Sequence, residues 1–198
     1  MKKIIILVLL VFYHSAFVSN LFAGEAKTKY QKVYFAGGCF WCMEESFDKI
    51  NGVIESVSGY SGGHLKNPSY LDVVYKDTGH VEAIEVTYDP KIINYKGLLN
   101  VFWNNIDPFD INGQFCDKGK SYRSVLFYKN SNQKKIIKSS LKNVEKKFNA
   151  KVVTLVWEFE KFYPAEKYHQ DYYEKNFMKY LAYKKACQRE EILEKIWN

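Results

Sequence analysis

Between Lys32 and Ile50 the sequence changes its hydrophobic period within two residues, and that switch restricts the fold more than any other stretch. Lys32-Val33-Tyr34-Phe35-Ala36 is rich in aromatic and β-branched residues and predicts a short strand. Phe40, Met43, Phe47 and Ile50 then recur at helical spacing. Gly37-Gly38 lies between the two patterns and predicts a tight turn. Cys39 therefore falls at a strand-to-helix turn beside a helix N-terminus, where free N–H groups and the positive end of the dipole favour an anion. A thiol placed there ionises more readily and becomes a nucleophile. The alternative is that Cys39 is a small buried core residue.

The chain has 198 residues, enough for one domain and a tail. Its 16 Tyr and 14 Phe make a pocket lined by aromatic rings plausible. The formal charge of +7 is spread over scattered Lys, without a basic run or an interleaved aromatic stripe, so nucleic acid is not an expected partner. Residues 1–23 have the form of a secretory signal peptide: Lys2 and Lys3, an apolar run over 4–13, and Leu21-Phe22-Ala23 at the cleavage position. This predicts a periplasmic or secreted protein. The alternative is an uncleaved segment that anchors the chain in the inner membrane. The mature domain is expected over 30–198, with a C-terminal tail from about 176.

Further along, 53–60 predicts a strand ending in the glycine-rich Gly59-Tyr60-Ser61-Gly62-Gly63-His64, read as a wide turn because the Lys-Ser/Thr of a phosphate loop is missing. Asn67-Pro68-Ser69-Tyr70 is turn chemistry. Residues 81–88 form the clearest strand. Ile84, Val86 and Tyr88 share one parity and face the core, and Glu82 shares that parity. A carboxyl at the inward edge of an apolar face is desolvated and holds its proton, as a general acid must. If the strand begins after Glu82, the residue is instead on a solvated turn. A helix over 95–106, a long polar connection over 109–120, a strand over 122–128, a helix over 137–148 and a strand over 152–159 follow. Pro164 is expected to open a helix through Lys175, and the tail over 179–197 is read as helical. Mixed strands and helices predict a single-domain α/β (α+β) two-layer sandwich, with a mixed sheet and a ferredoxin-like core.

Cys39, Cys42, Cys116 and Cys187 all follow the apolar segment, where an oxidising compartment permits disulfides. Four cysteines allow three pairings, and spacing does not choose among them. A single Cys-x-x-Cys without a His pair argues against a zinc site.

Taken together, Gly38-Cys39-Phe40-Trp41, Gly59-Tyr60-x-Gly62-Gly63, Asn67-Pro68-x-Tyr70, Gly79-His80-x-Glu82, Tyr88-Asp89-Pro90, Asp117-x-Gly119 with Tyr122-Arg123-Ser124, and His169-Gln170-x-Tyr172 resemble the A-type peptide methionine sulfoxide reductases. The resemblance runs from about Lys32 to Tyr173. It implies that Cys39 attacks the sulfur of methionine S-sulfoxide, with Glu82 as the acid and Tyr70 and Tyr122 as donors to the sulfoxide oxygen. It also implies that Phe40 and Trp41 enclose the substrate methyl group, and that Asp117, His169 and Tyr172 support the substrate pocket. Cys39 would become a sulfenic acid, then condense with a second thiol. Cys42, three positions on, and Cys187, in the tail, are the resolving candidates, and Cys116 is a third. The family needs no metal or other cofactor and is recharged by a thioredoxin-like reductant; a monomer acting on free or protein-bound oxidised methionine is expected. Two rival readings remain at this point. One is a thiol–disulfide oxidoreductase using Cys39-x-x-Cys42, and the other a binding module with a structural Cys39.

Overall fold

Strand β1 (Gln31–Gly37) pairs with two neighbours at the centre of a six-stranded sheet, and the rest of the chain is hung on it. The architecture is that of a computed structural model that describes residues 29–198. The expected signal peptide or anchor lies outside the described residues. After β1 come helix α1 (Phe40–Asp48), β2 (Val53–Ser61), α2 (Tyr70–Tyr75), β3 (Val81–Tyr88) and α3 (Tyr95–Asn104). A small hairpin of β4 (Gly113–Gln114) and β5 (Asp117–Lys118) leads to β6 (Ser124–Tyr128), α4 (Ser131–Phe148), β7 (Leu155–Glu158) and β8 (Phe162–Pro164). The tail is helical: α5 (Tyr172–Lys175), α6 (Phe177–Ala186) and α7 (Arg189–Trp197).

The sheet order is β7-β6-β1-β3-β2-β8, antiparallel throughout except for the parallel β6–β7 pair. Its inner four strands, β6-β1-β3-β2, have the order of a ferredoxin-like core, as expected, in an α+β two-layer arrangement. One face carries Phe35, Ile84 and Val86, packed on Phe47 of α1, Leu98 and Phe102 of α3 and Ile137 of α4. Each such fully buried side chain contributes roughly 1.5–3 kcal/mol. The other face is also covered: Tyr34, Val81, Ala83 and Phe127 lie under Trp157, Phe159 and Phe162, with Tyr34 and Phe159 stacked at 3.7 Å.

The two glycines before the nucleophile serve different purposes. Gly38 has a φ of +79°, which L side chains rarely adopt, and a Cβ there would come within 2.5 Å of the Gln114 side chain. Gly37 is extended, yet a Cβ on it would meet the Met43 sulfur at 2.5 Å, so its role is close packing. The strand–turn–helix expectation holds in outline, with the conformational demand at Gly38 alone.

One expectation fails. Pro164 does not open a helix; it ends β8, at the sheet edge, where a missing N–H is tolerated. The following stretch is held open by Gln170. Its side chain accepts from the Ser58 N–H and donates to the Ser58 carbonyl, both at 2.9 Å, imitating a strand partner. Only a short 3-10 turn over Lys167–His169 and the four-residue α5 occupy the region. Helix α2, by contrast, begins with a capping box, Ser69 and Asp72 bonding each other's backbone.

Candidate active site

Cys39 is the N-cap residue of α1, 5% exposed, and lines a pocket of about 110 Å³ that opens to solvent. The strand-to-helix placement is as read from the sequence, but the electrostatic expectation is not met. Burial pushes the Cys39 thiol up, and the neighbouring Cys42 sulfur reinforces this. Cys42 moves the other way, down to about 6, because it accepts a hydrogen bond from the Cys39 thiol; burial opposes this and the Arg189 guanidinium assists it. In the hydrogen bond between the two sulfurs Cys39 is the donor and Cys42 the acceptor. Removal from water outweighs the helix terminus at Cys39.

Glu82 stands near the start of β3, 2% exposed, with its side chain on the core face. The strand includes Glu82, so the solvated-turn alternative does not apply. Burial pushes its carboxyl up to about 8, offset in part by the Phe40 N–H, which donates to Glu82 Oε2 at 3.0 Å. At neutral pH the group is mostly a neutral acid. Tyr70, at the start of α2, and Tyr122, just before β6, line the same pocket. Burial pushes Tyr70 up to about 12, with the Glu82 charge adding to it, and pushes Tyr122 up as well, so both phenols keep their protons and remain donors. The Tyr70 N–H donates to Glu166 Oε1 at 2.9 Å and the Tyr60 hydroxyl to Oε2 of the same carboxylate at 2.9 Å. Glu166 thus fixes the start of α2, a role with no periodic signal in the sequence.

Phe40 and Trp41 line the pocket as expected, and so does Asp117. His169 and Tyr172 do not; they stand behind Trp41. The Trp41 Nε1–H donates to His169 Nδ1 at 3.2 Å, and Tyr172 stacks on the indole at 3.8 Å. They buttress Trp41, in keeping with the supporting role expected of them. The bond at Nδ1 assigns the proton to His169 Nε2, which is buried and unpartnered. The missed wall residue is Tyr183 of α6: it lines the pocket, meets Trp41 edge-on at 5.9 Å, and donates its hydroxyl to Asp117 Oδ2. Burial pushes Asp117 up, and that hydrogen bond opposes the shift.

The glycine-rich turn after β2 is pinned rather than open to a ligand. The Gly63 N–H donates to His80 Nδ1 at 3.1 Å and His80 Nε2 lies 2.8 Å from the Leu65 carbonyl. Cys116 and Cys187 are joined in a disulfide, while Cys39 and Cys42 are free. Cys187, one of the two resolving candidates, is in the bridge rather than a free thiol in this state, and the sulfur that accepts from the Cys39 thiol is that of Cys42. Among the described residues, Glu44, Asp48 and Asp171 place carboxylate oxygens within 4.8 Å of one another. Ser58 and the Asp171 N–H bond Glu44, Tyr173 bonds Asp48 and Lys175 bonds Asp171, so the group is tied by protein donors.

A buried thiol pair, a neutral carboxylic acid and two phenols around one small aromatic pocket, on an α+β sheet, define a thiol-dependent reductase site. The family model described as peptide methionine sulfoxide reductase matches residues 31–198. The chain is 44% identical over 166 residues to peptide methionine sulfoxide reductase MsrA of Bacillus licheniformis, covering 83% of this chain and 92% of the relative. It is 44% identical over 174 residues to the MsrA of Listeria monocytogenes serotype 4a, covering 87% and 98%. With the MsrA/MsrB protein of Vibrio cholerae it shares 42% identity over 88% of its own length, and it spans about half of that relative, 47%. The fold is similar to reduced Mxr1 of Saccharomyces cerevisiae, with TM-score 0.71, 32% identity and coverage of 76% of this chain and 87% of that one. Methionine sulfoxide reductase A of Corynebacterium diphtheriae gives TM-score 0.68 and 26% identity, covering 76% and 77%. This chain belongs to the peptide methionine sulfoxide reductase family.

Proposed function

We propose that the protein reduces free and peptide-bound methionine S-sulfoxide to methionine, and so repairs oxidised proteins. One observation carries this reading: the Cys39 sulfur and the Glu82 carboxyl, protonated at neutral pH, line the same small pocket, with the Phe40 N–H joining the two sides. As the substrate enters, Cys39 releases its proton into the solvent-open pocket and attacks the sulfoxide sulfur as a thiolate. Charge builds on the sulfoxide oxygen, where Glu82 donates its proton and Tyr70 and Tyr122 supply hydrogen bonds. The S–O bond breaks, the thioether leaves, and the hydroxyl remains on Cys39 as a sulfenic acid: substrate sulfur is reduced by two electrons and the Cys39 sulfur oxidised by two. Phe40 and Trp41 enclose the methyl group, held from behind by His169 and Tyr172. Cys42 then displaces the hydroxyl, forming a Cys39–Cys42 disulfide and water. A dithiol of the thioredoxin type reopens it; yeast Mxr1 has been crystallised in complex with Trx2. No metal or other cofactor is needed for these steps.

The thiol–disulfide oxidoreductase alternative is less well supported. Cys42 is 1% exposed and faces the protein interior, and that chemistry has no use for Glu82. We further propose that residues 1–23 direct export and are removed, and that the mature chain acts as a periplasmic or secreted monomer; the Cys116–Cys187 bridge suits an oxidising compartment. Fractionation and N-terminal sequencing test export, and light scattering tests the monomer. The activity is tested by mixing the protein with methionine S-sulfoxide without reductant. One methionine per chain and a bridge containing Cys39 are expected; no methionine, or full turnover by Cys39→Ser, would overturn the reading.

A further inference from the structure

Arg189 is a charged side chain in an unusual place. It opens α7, is 3% exposed, and lies two residues after Cys187 of the bridge, following Gln188, whose φ is 51°. Its Nη2 donates to the Asn105 carbonyl at 2.6 Å and approaches the Gly37 carbonyl and the Met43 sulfur at 3.5 Å each. The guanidinium lies 4.4 Å over the Phe115 ring. Nη1 is buried with no hydrogen-bond partner, and Arg189 is in none of the salt bridges among the described residues. A buried guanidinium left without an anion is costly, and its field is poorly screened.

Arg189 and Cys42 bound the same enclosed void behind the pocket, together with Asp117, Tyr183 and Lys184. The other charged and titratable groups facing Cys42 are already engaged. Asp117 accepts from Tyr183, Tyr180 donates to Glu45, and Lys184 is paired with Glu45 at 2.9 Å and Glu190 at 2.7 Å. Cys39 contributes only its thiol hydrogen. The guanidinium is answered by two groups on that void, the Asp117 carboxylate, which already accepts from Tyr183, and the Cys42 sulfur, and the void has no room for a water to screen them.

We propose that Arg189 is the positioning residue of the resolving step, its buried guanidinium holding the Cys42 sulfur as a thiolate turned toward Cys39. The inference rests on the reading that Cys42 resolves the sulfenic acid. In that step the Cys42 thiolate supplies an electron pair to the Cys39 sulfur, an S–S bond forms, the S–O bond breaks, and the departing hydroxide takes a proton to become water. Reduction of the sulfoxide itself does not involve Arg189.

The experiment is a single turnover on the full chain with its Cys116–Cys187 bridge intact, with methionine released, dimedone-trapped sulfenic acid and disulfides followed by mass spectrometry. Arg189→Gln is expected to release methionine at the wild-type rate but to close the Cys39–Cys42 bridge at least tenfold more slowly at pH 7, with the pH midpoint of closure moved upward. Arg189→Lys, which keeps the charge, is expected to recover most of the rate. Closure by Arg189→Gln at the wild-type rate with the wild-type pH midpoint would overturn the proposal, as would equal slowing in both variants. Cys42→Ser separates the underlying reading: it should accumulate Cys39 sulfenic acid, and a Cys39 disulfide formed as fast as in wild type shows that another thiol resolves. Should Arg189→Gln fail to fold, thiolate absorbance of Cys42 in Cys39→Ser decides, compared between wild-type Arg189 and Arg189→Lys. A midpoint below that of an ordinary thiol in both supports the proposal, and an ordinary or raised one overturns it.

Discussion

The backbone N–H of Phe40 donates to Glu82 Oε2 at 3.0 Å, tying the first residue of the nucleophile's helix to the proposed acid on the neighbouring strand. Because the acid is bonded to the backbone beside Cys39, its distance from the reacting sulfur does not depend on a mobile side chain. The bond also makes two properties of Glu82, its acidity and its effect on folding, consequences of the same burial.

Replacing Glu82 with Gln removes the proton and leaves the shape. Turnover of methionine sulfoxide is expected to fall roughly 10²–10⁴-fold, the usual range for a lost general acid. Steady-state assays with KM and kcat resolved check this, and a variant with unchanged kcat would remove Glu82 from the role.

The same substitution should alter stability in a pH-dependent way. Glu82 is raised from an ordinary 4.5 to about 8, so the folded state binds its proton more tightly than the unfolded state does. Between those two values the folded chain holds more protons, and stability contributed by Glu82 is present below about pH 4.5 and lost as pH rises through 8. The loss is on the order of a few kcal/mol. Glu82→Gln should therefore gain stability relative to wild type on going from pH 5 to pH 8, measured by denaturant titration at both. Wild-type turnover should also decline above about pH 8 as the acid loses its proton.

Cys116→Ser opens the bridge between residues 71 apart. On loop-entropy grounds the loss is about 4 kcal/mol. Release of the first methionine should persist at a pH and temperature where the variant is folded, since Cys39, Cys42 and Glu82 are untouched. Thermal unfolding and a single-turnover assay, compared without reductant, measure the two effects separately.

Gly38→Ala meets both an unfavourable positive φ and a 2.5 Å approach to Gln114. A loss of about 2 kcal/mol or more is expected, with turnover reduced through displacement of Cys39. Gly119, with a φ of +124° but nothing near its missing Cβ, makes the control: an Ala there should carry backbone strain alone. Chemical denaturation of both variants compares them.

Much of the site could be read along the chain because its central parts are local. Gly38, Cys39 and Phe40 form one turn, and the parity of Glu82 follows from the alternation of Ile84, Val86 and Tyr88. What could not be read depends on contacts between distant segments. Whether Cys39 or Cys42 carries the anion depends on burial and on Arg189, far along the sequence. Tyr183 becomes a pocket wall only when α6 packs against Trp41, and nothing in the periodicity of α6 marks that residue. Pro164 looked like a helix start because proline suits the first helical turn, but the open edge of β2 and the side chain of Gln170 provided better partners. His169 and Tyr172 reach the substrate region only through Trp41, which one bonds and the other stacks on.

Tyr183 and Arg189 both come from the terminal helices, so the reactive centre is assembled from two ends of the polypeptide. A version shortened before Phe177 would retain every motif residue from Cys39 to Tyr172 and still leave its sulfur pair open to bulk water. The last helices thus act as the wall of a reaction vessel whose working parts were all laid down before them.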